Sequence, residues 1–111
     1  MIYEPVNINK TMICAELTII PIGTSETSLS RYIAAAITAL EDTGIKYELN
    51  GMGTQLESET QDELFDAIKK AHEAMFHEGV LRVATSIKID DRRDADKGLS
   101  QKILAVKEKL R

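Results

Sequence analysis

Five consecutive polar side chains, Thr24, Ser25, Glu26, Thr27 and Ser28, fill the stretch PIGTSETSLSRY between an apolar run and the start of a helical pattern. A helix start needs one capping side chain, from Ser25, Thr27 or Ser28, so capping accounts for only part of the cluster. The surplus donors and acceptors are what a polar heterocycle would use, and Glu26 would balance a cationic ring. Met52-Gly53-Thr54 is a second candidate, since Gly53 permits close approach of a backbone or a ligand; a β-bulge would explain it equally well.

Other chemistry is disfavoured by spacing. His72 and His77 in HEAMFH superficially suggest a zinc site, but five helical residues rotate by about 500° and leave the rings roughly 140° apart. A shared metal needs the four-residue spacing, so packing or solvent-facing histidines are expected, and no metal. No nucleophile–base arrangement and no Gly-rich phosphate loop of Walker or Rossmann type can be read from the chain, which gives an enzyme no named nucleophile or base. Asp90-Asp91-Arg92-Arg93-Asp94 reads as a solvated turn that pairs internally.

The elements that must position these residues follow from hydrophobic period. Residues 13–20, ICAELTII, alternate, with Ile13, Ala15, Leu17 and Ile19 on one face and Cys14, Glu16, Thr18 and Ile20 on the other. Leu29, Ile33, Ala36 and Leu40, with Ile37 alongside, define a helix from about Ser28 to Thr43, ended by Gly44. IKYELN and MGTQLE are two short strands, and Asn50-Gly51 between them is the preferred dipeptide of a two-residue hairpin turn. Thr60-Gln61-Asp62-Glu63 is a capping box that opens a second helix, with Leu64, Ile68, Ala71 and Met75 on one face and Gly79 at its end. LRVATSIKID, residues 81–90, alternates as a fourth strand, and Ile103, Val106 and Leu110 recur at helical spacing in a short C-terminal helix.

The order β-α-β-β-α-β plus a helix is the α+β, ferredoxin-like split pattern: a four-stranded antiparallel sheet with both main helices on one face. The other face would carry Cys14, Glu16, Thr18 and Ile20 beside Gln55, Ala84, Ser86 and Lys88. Such a mixed surface suits a subunit interface with a pocket in it, so a homo-oligomer is expected.

Length and composition are consistent with this. The 111 residues make one domain, with residues 1–11 as an N-terminal extension to a domain over 12–111. Hydrophobic residues at 43% and charged residues at 29% are ordinary for a globular chain. The formal charge of -4 disfavours nucleic acid as a partner. No apolar run approaches a membrane span and no signal-peptide pattern opens the chain, while the lone Cys14 fits a reducing compartment; a cytoplasmic protein is expected.

AELTIIPIGTSETSLSRYIAAAI, KYELNGMGTQLE and VATSIKIDDRRD resemble the small thiamine-binding protein family. The combination of P-x-G-T-x-x-T-S, M-G-T and I-K-I-D-D-R-R carries the resemblance, which runs from Met12 to about Lys107. It implies binding of thiamine or its hydroxymethylpyrimidine part without catalysis or cofactor, by dimers that pair into tetramers. Ligand-binding residues on that reading are Ser25, Glu26, Thr27, Met52, Gly53 and Thr54, with Glu16, Thr18 and Lys88 on the open sheet face. A stacked aromatic cage would draw on Tyr32 or Tyr47. Two alternatives stay open on the residues alone: a regulatory module binding another small metabolite, such as an amino acid, at a subunit interface, and a structural oligomer with no ligand.

Overall fold

The computed structural model describes residues 12–110; the N-terminal extension expected over residues 1–11 lies outside them. The elements run β1 (Ile13–Ile22), α1 (Ser30–Thr43), β2 (Lys46–Asn50), β3 (Gly53–Ser58), α2 (Gln61–His77), β4 (Arg82–Asp91) and α3 (Leu99–Lys107). The strands form one antiparallel sheet in the order β2-β3-β1-β4, so the expected split β-α-β architecture with an added helix is the fold.

Side-chain alternation along β1 divides the molecule into two faces. Ile13, Ala15, Leu17 and Ile19 join Leu56, Ala36, Leu40 and the α2 stripe of Leu64, Ile68, Ala71 and Met75 in a single core. Leu40, Leu56, Leu64 and Met75 are completely enclosed, and burial of each such side chain stabilises the fold by about 1.5–3 kcal/mol. Thr60 Oγ1 accepts from the Glu63 amide at 3.1 Å, the capping contact expected from sequence. Gly44 and Gly79 take positive φ of 77° and 88° just beyond α1 and α2, where a side chain would be strained.

Two local expectations are corrected. α1 starts at Ser30 with Leu29 at its cap and no side-chain bond from that position; neither Ser25 nor Thr27 caps it, and Ser28 Oγ accepts from the Ser30 amide only at 3.5 Å. The hairpin loop is Gly51–Met52, because Asn50 pairs with Gly53, and Gly51 lacks the positive φ of the turn that favours Asn-Gly. This register sets Lys46 directly across from Glu57, which is buried and needs a countercharge; the Asn-Gly loop would have put Gln55 there. The expected C-terminal helix is present as α3, with Ile103 and Val106 on it and Leu110 just beyond; all three are exposed and α3 buries no residue.

How α3 is held follows from that lack of apolar burial. Glu57 Oε1 accepts from the Leu99 amide at 2.5 Å, and its other oxygen meets Lys46 Nζ at 2.9 Å. Gly98, at the helix cap, has no side chain to offer, so a carboxylate from β3 satisfies a free donor of the first turn and faces the positive end of the helix. A Cβ at Gly98 would fall 2.1 Å from Glu57 Oε1, so only glycine lets the two approach. Gln101 Oε1 accepts from the Gly98 amide at 2.9 Å, and Lys102 pairs with Asp90.

Burial opposes ionisation of Glu57, but the hydrogen bonds from Lys46 and the Leu99 amide, with the Lys46 charge, outweigh it and hold the carboxyl below its ordinary value. Since the folded-state value is the lower one, the unfolded chain takes up the proton first as pH falls. The contribution to stability is complete above the ordinary value of 4.5 and is lost as pH drops through the depressed one. Glu57→Gln should therefore lower stability at neutral pH by about 1–3 kcal/mol, judged from urea unfolding. The gap to the parent protein should close on acidification towards about pH 3; a gap independent of pH would refute the electrostatic role.

Candidate functional site

A cavity of about 330 Å³ lies between the N-terminal half of α1, the tip of the β2–β3 hairpin and the second half of β1. Its size is at the lower end of the roughly 300–1,000 Å³ typical of small-molecule sites, enough for one or two rings. The α1 stripe explains why space is left here. Ala36 and Leu40 reach the core and are buried, whereas Leu29, Ile33 and Ile37, further round or nearer the helix start, are only partly covered. Leu29, Ile33, Ala36 and Ile37 wall the cavity on one side, Leu17 to Ile20 floor it, and Leu49 to Thr54 close the third side.

Among the described residues, polar groups in this lining are few and uncharged. Thr54 is buried, yet its hydroxyl has no side-chain hydrogen-bond partner among the described residues and is not sealed off from the cavity. Asn50 spends its amide nitrogen on the Glu48 carbonyl at 3.5 Å, which leaves its side-chain oxygen available. Gly53 packs so closely on β1 that a Cβ would sit 3.2 Å from Thr18 Oγ1 and 3.4 Å from the Leu17 carbonyl oxygen. Close approach of two strands thus explains this glycine. Met52 projects from the hairpin tip at 93% exposure, free to fold over the opening.

Of the residues singled out from sequence, the structure brings Thr18, Met52, Gly53 and Thr54 to this cavity. Ser25, Glu26 and Thr27 are exposed on the preceding loop and do not line it. Glu26 is engaged by Arg31 at 3.2 Å, and Arg31 also reaches Glu78 at 3.5 Å, so the loop carboxylate is neutralised within the chain. Thr24 Oγ1 donates to the Glu26 carbonyl at 2.9 Å, and Ser28 and Ser30 bond each other at 3.2 Å. Much of the polar surplus in this loop therefore goes into the loop's own shape.

Glu16 and Lys88 sit opposite each other across the β1–β4 ladder, in a shallower depression of about 180 Å³ on the other sheet face, beneath α3. Cys14 lies at its floor. Burial pushes its thiol pKa up, Glu57 and Asp90 add to this and Lys102 opposes it, so the thiol stays protonated and unreactive.

Neither tyrosine builds an aromatic cage at the cavity. Tyr32 is buried beneath the Arg31 guanidinium, 4.3 Å from its ring centre, and Tyr47 donates its hydroxyl to Glu41. His72 bonds Thr85 Oγ1 at 2.6 Å and meets the edge of Phe76, and no group of metal-ligating side chains is present among the described residues. The acidic–basic turn pairs within itself as expected, Arg92 with Asp94 and Arg93 with Asp91. No helix among the described residues is long and apolar enough to cross a membrane. Sequence reasoning missed Leu29, Ile33, Ala36, Ile37, Leu49 and Asn50 as cavity residues; apolar period marked the first five as element faces and Asn50 was read as a turn residue, and nothing local separates a sealed core position from a cavity wall.

Comparison with known proteins places this geometry in a family. The family model of thiamine-binding proteins matches residues 15–107. The chain is 59% identical over 99 residues to the UPF0045 protein of Methanothermobacter thermautotrophicus, covering 89% of this chain and 100% of that one. It is 47% identical to the UPF0045 protein YqgV of Bacillus subtilis, covering 89% and 98%. Among solved structures, a hypothetical protein from Methanocaldococcus jannaschii superposes with a TM-score of 0.79 at 38% identity, covering 87% and 97%. A Thermotoga maritima protein provisionally assigned to thiamine biosynthesis or salvage shares the fold, with a TM-score of 0.71 at 19% identity over 86% and 98%.

The tight Gly53 contact generates a direct test. Gly53→Val should force the hairpin away from β1 and lower stability by about 1–3 kcal/mol, whereas Gly53→Ala should cost less because the Thr18 hydroxyl can rotate aside. Equal and negligible losses in thermal unfolding of both variants would show that the contact is not tight.

Proposed function

The chain belongs to the thiamine-binding protein family, and from that premise we propose that it binds thiamine, or the hydroxymethylpyrimidine half of it, in the cavity between α1 and the β2–β3 hairpin. The observation that carries this reading is the coincidence of the M-G-T run with the cavity wall. Thr54 offers a hydroxyl with no side-chain hydrogen-bond partner among the described residues, Gly53 brings the hairpin against β1, and Met52 is positioned to cover a ring. An apolar enclosure with a few uncharged polar groups suits a flat heterocycle, whose faces meet Leu29, Ile33 and Ile37 while its edge meets Thr18, Asn50 and Thr54.

On this reading the protein is a binder without catalysis, in keeping with a lining that, among the described residues, carries no acidic or basic side chain. Glu16 and Lys88 then belong to a separate face, and Ser25, Glu26 and Thr27 act by shaping the loop that delivers Leu29. The partly open second sheet face and the exposed Ile103, Val106 and Leu110 support assembly into a dimer of dimers. The buried free Cys14 is in keeping with a reducing, cytoplasmic setting.

Titration calorimetry with thiamine and with hydroxymethylpyrimidine tests the reading, and saturable binding at micromolar concentration or tighter is expected. A ligand at 100 times its Kd should also raise the unfolding free energy by about 2.7 kcal/mol. Thr54→Val should weaken binding about 3- to 10-fold through one lost hydrogen bond, and Glu26→Ala should change it by no more than about twofold. Absence of both heat and a melting shift with either compound would dispose of the proposal.

A further inference from the structure

The cavity floor contains main chain that has lost its partner. β1 pairs with β4 from Ile13 to Ile22, but with β3 only from Ile13 to Leu17, because the hairpin turns back at Gly53. Beyond Leu17, one edge of β1 is uncovered by any strand among the described residues. In an antiparallel ladder the N–H and C=O of one residue point to the same side, and successive residues alternate. The Leu17 carbonyl oxygen lies against Gly53 on the hairpin side, which assigns the odd-numbered residues to that side.

Pro21 falls on the same side, where a strand proline is tolerated because no neighbour requires its missing N–H. Ile19, between these two, turns both its N–H and its C=O to the free edge. Ile19 lines the cavity and is only 4% exposed, so this donor–acceptor pair opens on the cavity and not on the outer surface of the sheet edge. A buried main-chain pair without a partner is costly, and a ligand that satisfies it gains correspondingly.

Charge sets the second condition. Among the described residues, no side chain in the cavity lining is ionisable. Arg31, two residues beyond Leu29 at the start of α1, is held between Glu26 and Glu78 and stacked on Tyr32. An anionic group drawn into this space would be desolvated with no counterion to meet it.

Resting on the reading of this cavity as the ligand site, we infer that the free edge of β1 at Ile19 is the element that recognises the ligand. The site takes an uncharged heteroaromatic ring with a donor beside an acceptor, and it excludes the phosphate ester of the same compound. An aminopyrimidine presents such an edge: its amino group donates to the Ile19 carbonyl and the adjacent ring nitrogen accepts from the Ile19 amide. Selection is then made by backbone, which explains why the charged candidates in the sequence do not converge on the cavity.

The test is a calorimetric comparison, on the full chain, of hydroxymethylpyrimidine, its phosphate monoester and the analogue in which hydrogen replaces the amino group. The ester and the deamino analogue should each bind at least about tenfold more weakly than the parent compound. Asn50→Lys, which sets a cation at the cavity wall, should narrow the gap between alcohol and ester by about tenfold. Equal or tighter binding of the ester would overturn the exclusion of charge, and equal binding of the deamino analogue would overturn recognition by the Ile19 edge; both results would leave the cavity standing as the ligand site. A folded Asn50→Lys protein with an unchanged gap would likewise overturn the electrostatic argument. Failure of all three compounds and of thiamine to bind would remove the ligand-site reading itself, and this inference with it.

Discussion

Ten residues of β1 have to serve two neighbours, and the two neighbours differ in length. β4 matches the strand throughout, while β3 covers only its first half. The matched half is where the core closes, with Ala15 and Leu17 between Leu56, Thr54 and the partners on β4. The unmatched half creates a notch at the sheet, and α1 bridges this notch through Leu29, Ile33 and Ile37 instead of sealing it. Core and cavity are thus two consequences of one mismatch in strand length.

A buried carboxylate connects the remaining pieces. Glu57 accepts from Lys46 on β2 and from the first turn of α3, so the hairpin register and the docking of the last helix depend on the same side chain. α3 buries none of its residues, and without this contact it would rely on the exposed pair of Lys102 with Asp90. Exposed pairs contribute little, about 0–1 kcal/mol, so the enclosed contact at Glu57 has to dominate. The result is a helix positioned by polar contacts, with its apolar residues turned outwards.

The chemistry of the cavity follows from what the fold leaves there. Apolar side chains from one helix face one strand whose backbone is half paired, and a hairpin tip contributes Asn50, Met52 and Thr54. Charged groups on the adjacent loop have been consumed by each other, Glu26 by Arg31 and Arg31 again by Glu78. On the proposed reading, such a space would select ligands by shape, by the order of donors and acceptors and against negative charge.

Period and capping signals in the sequence determined the elements, their order and the α+β split pattern, because alternation and four-three spacing are local properties that Ile13–Ile20, the α1 stripe and the α2 stripe each carry in full. The M-G-T run and Thr18 were also legible as candidates. Which hydroxyls and carboxylates would meet was not, since Glu26 and Thr54 look equally available until Arg31 is seen to occupy one and a cavity to open beside the other. The hairpin register was likewise decided by a distant need, the countercharge for Glu57, over the local preference of Asn50-Gly51. The free edge at Ile19 depends on where β3 stops along β1. Local sequence sets what each segment can form, but pairing length, charge compensation and enclosure are properties of residues far apart in the chain, and only the tertiary structure brings them into contact.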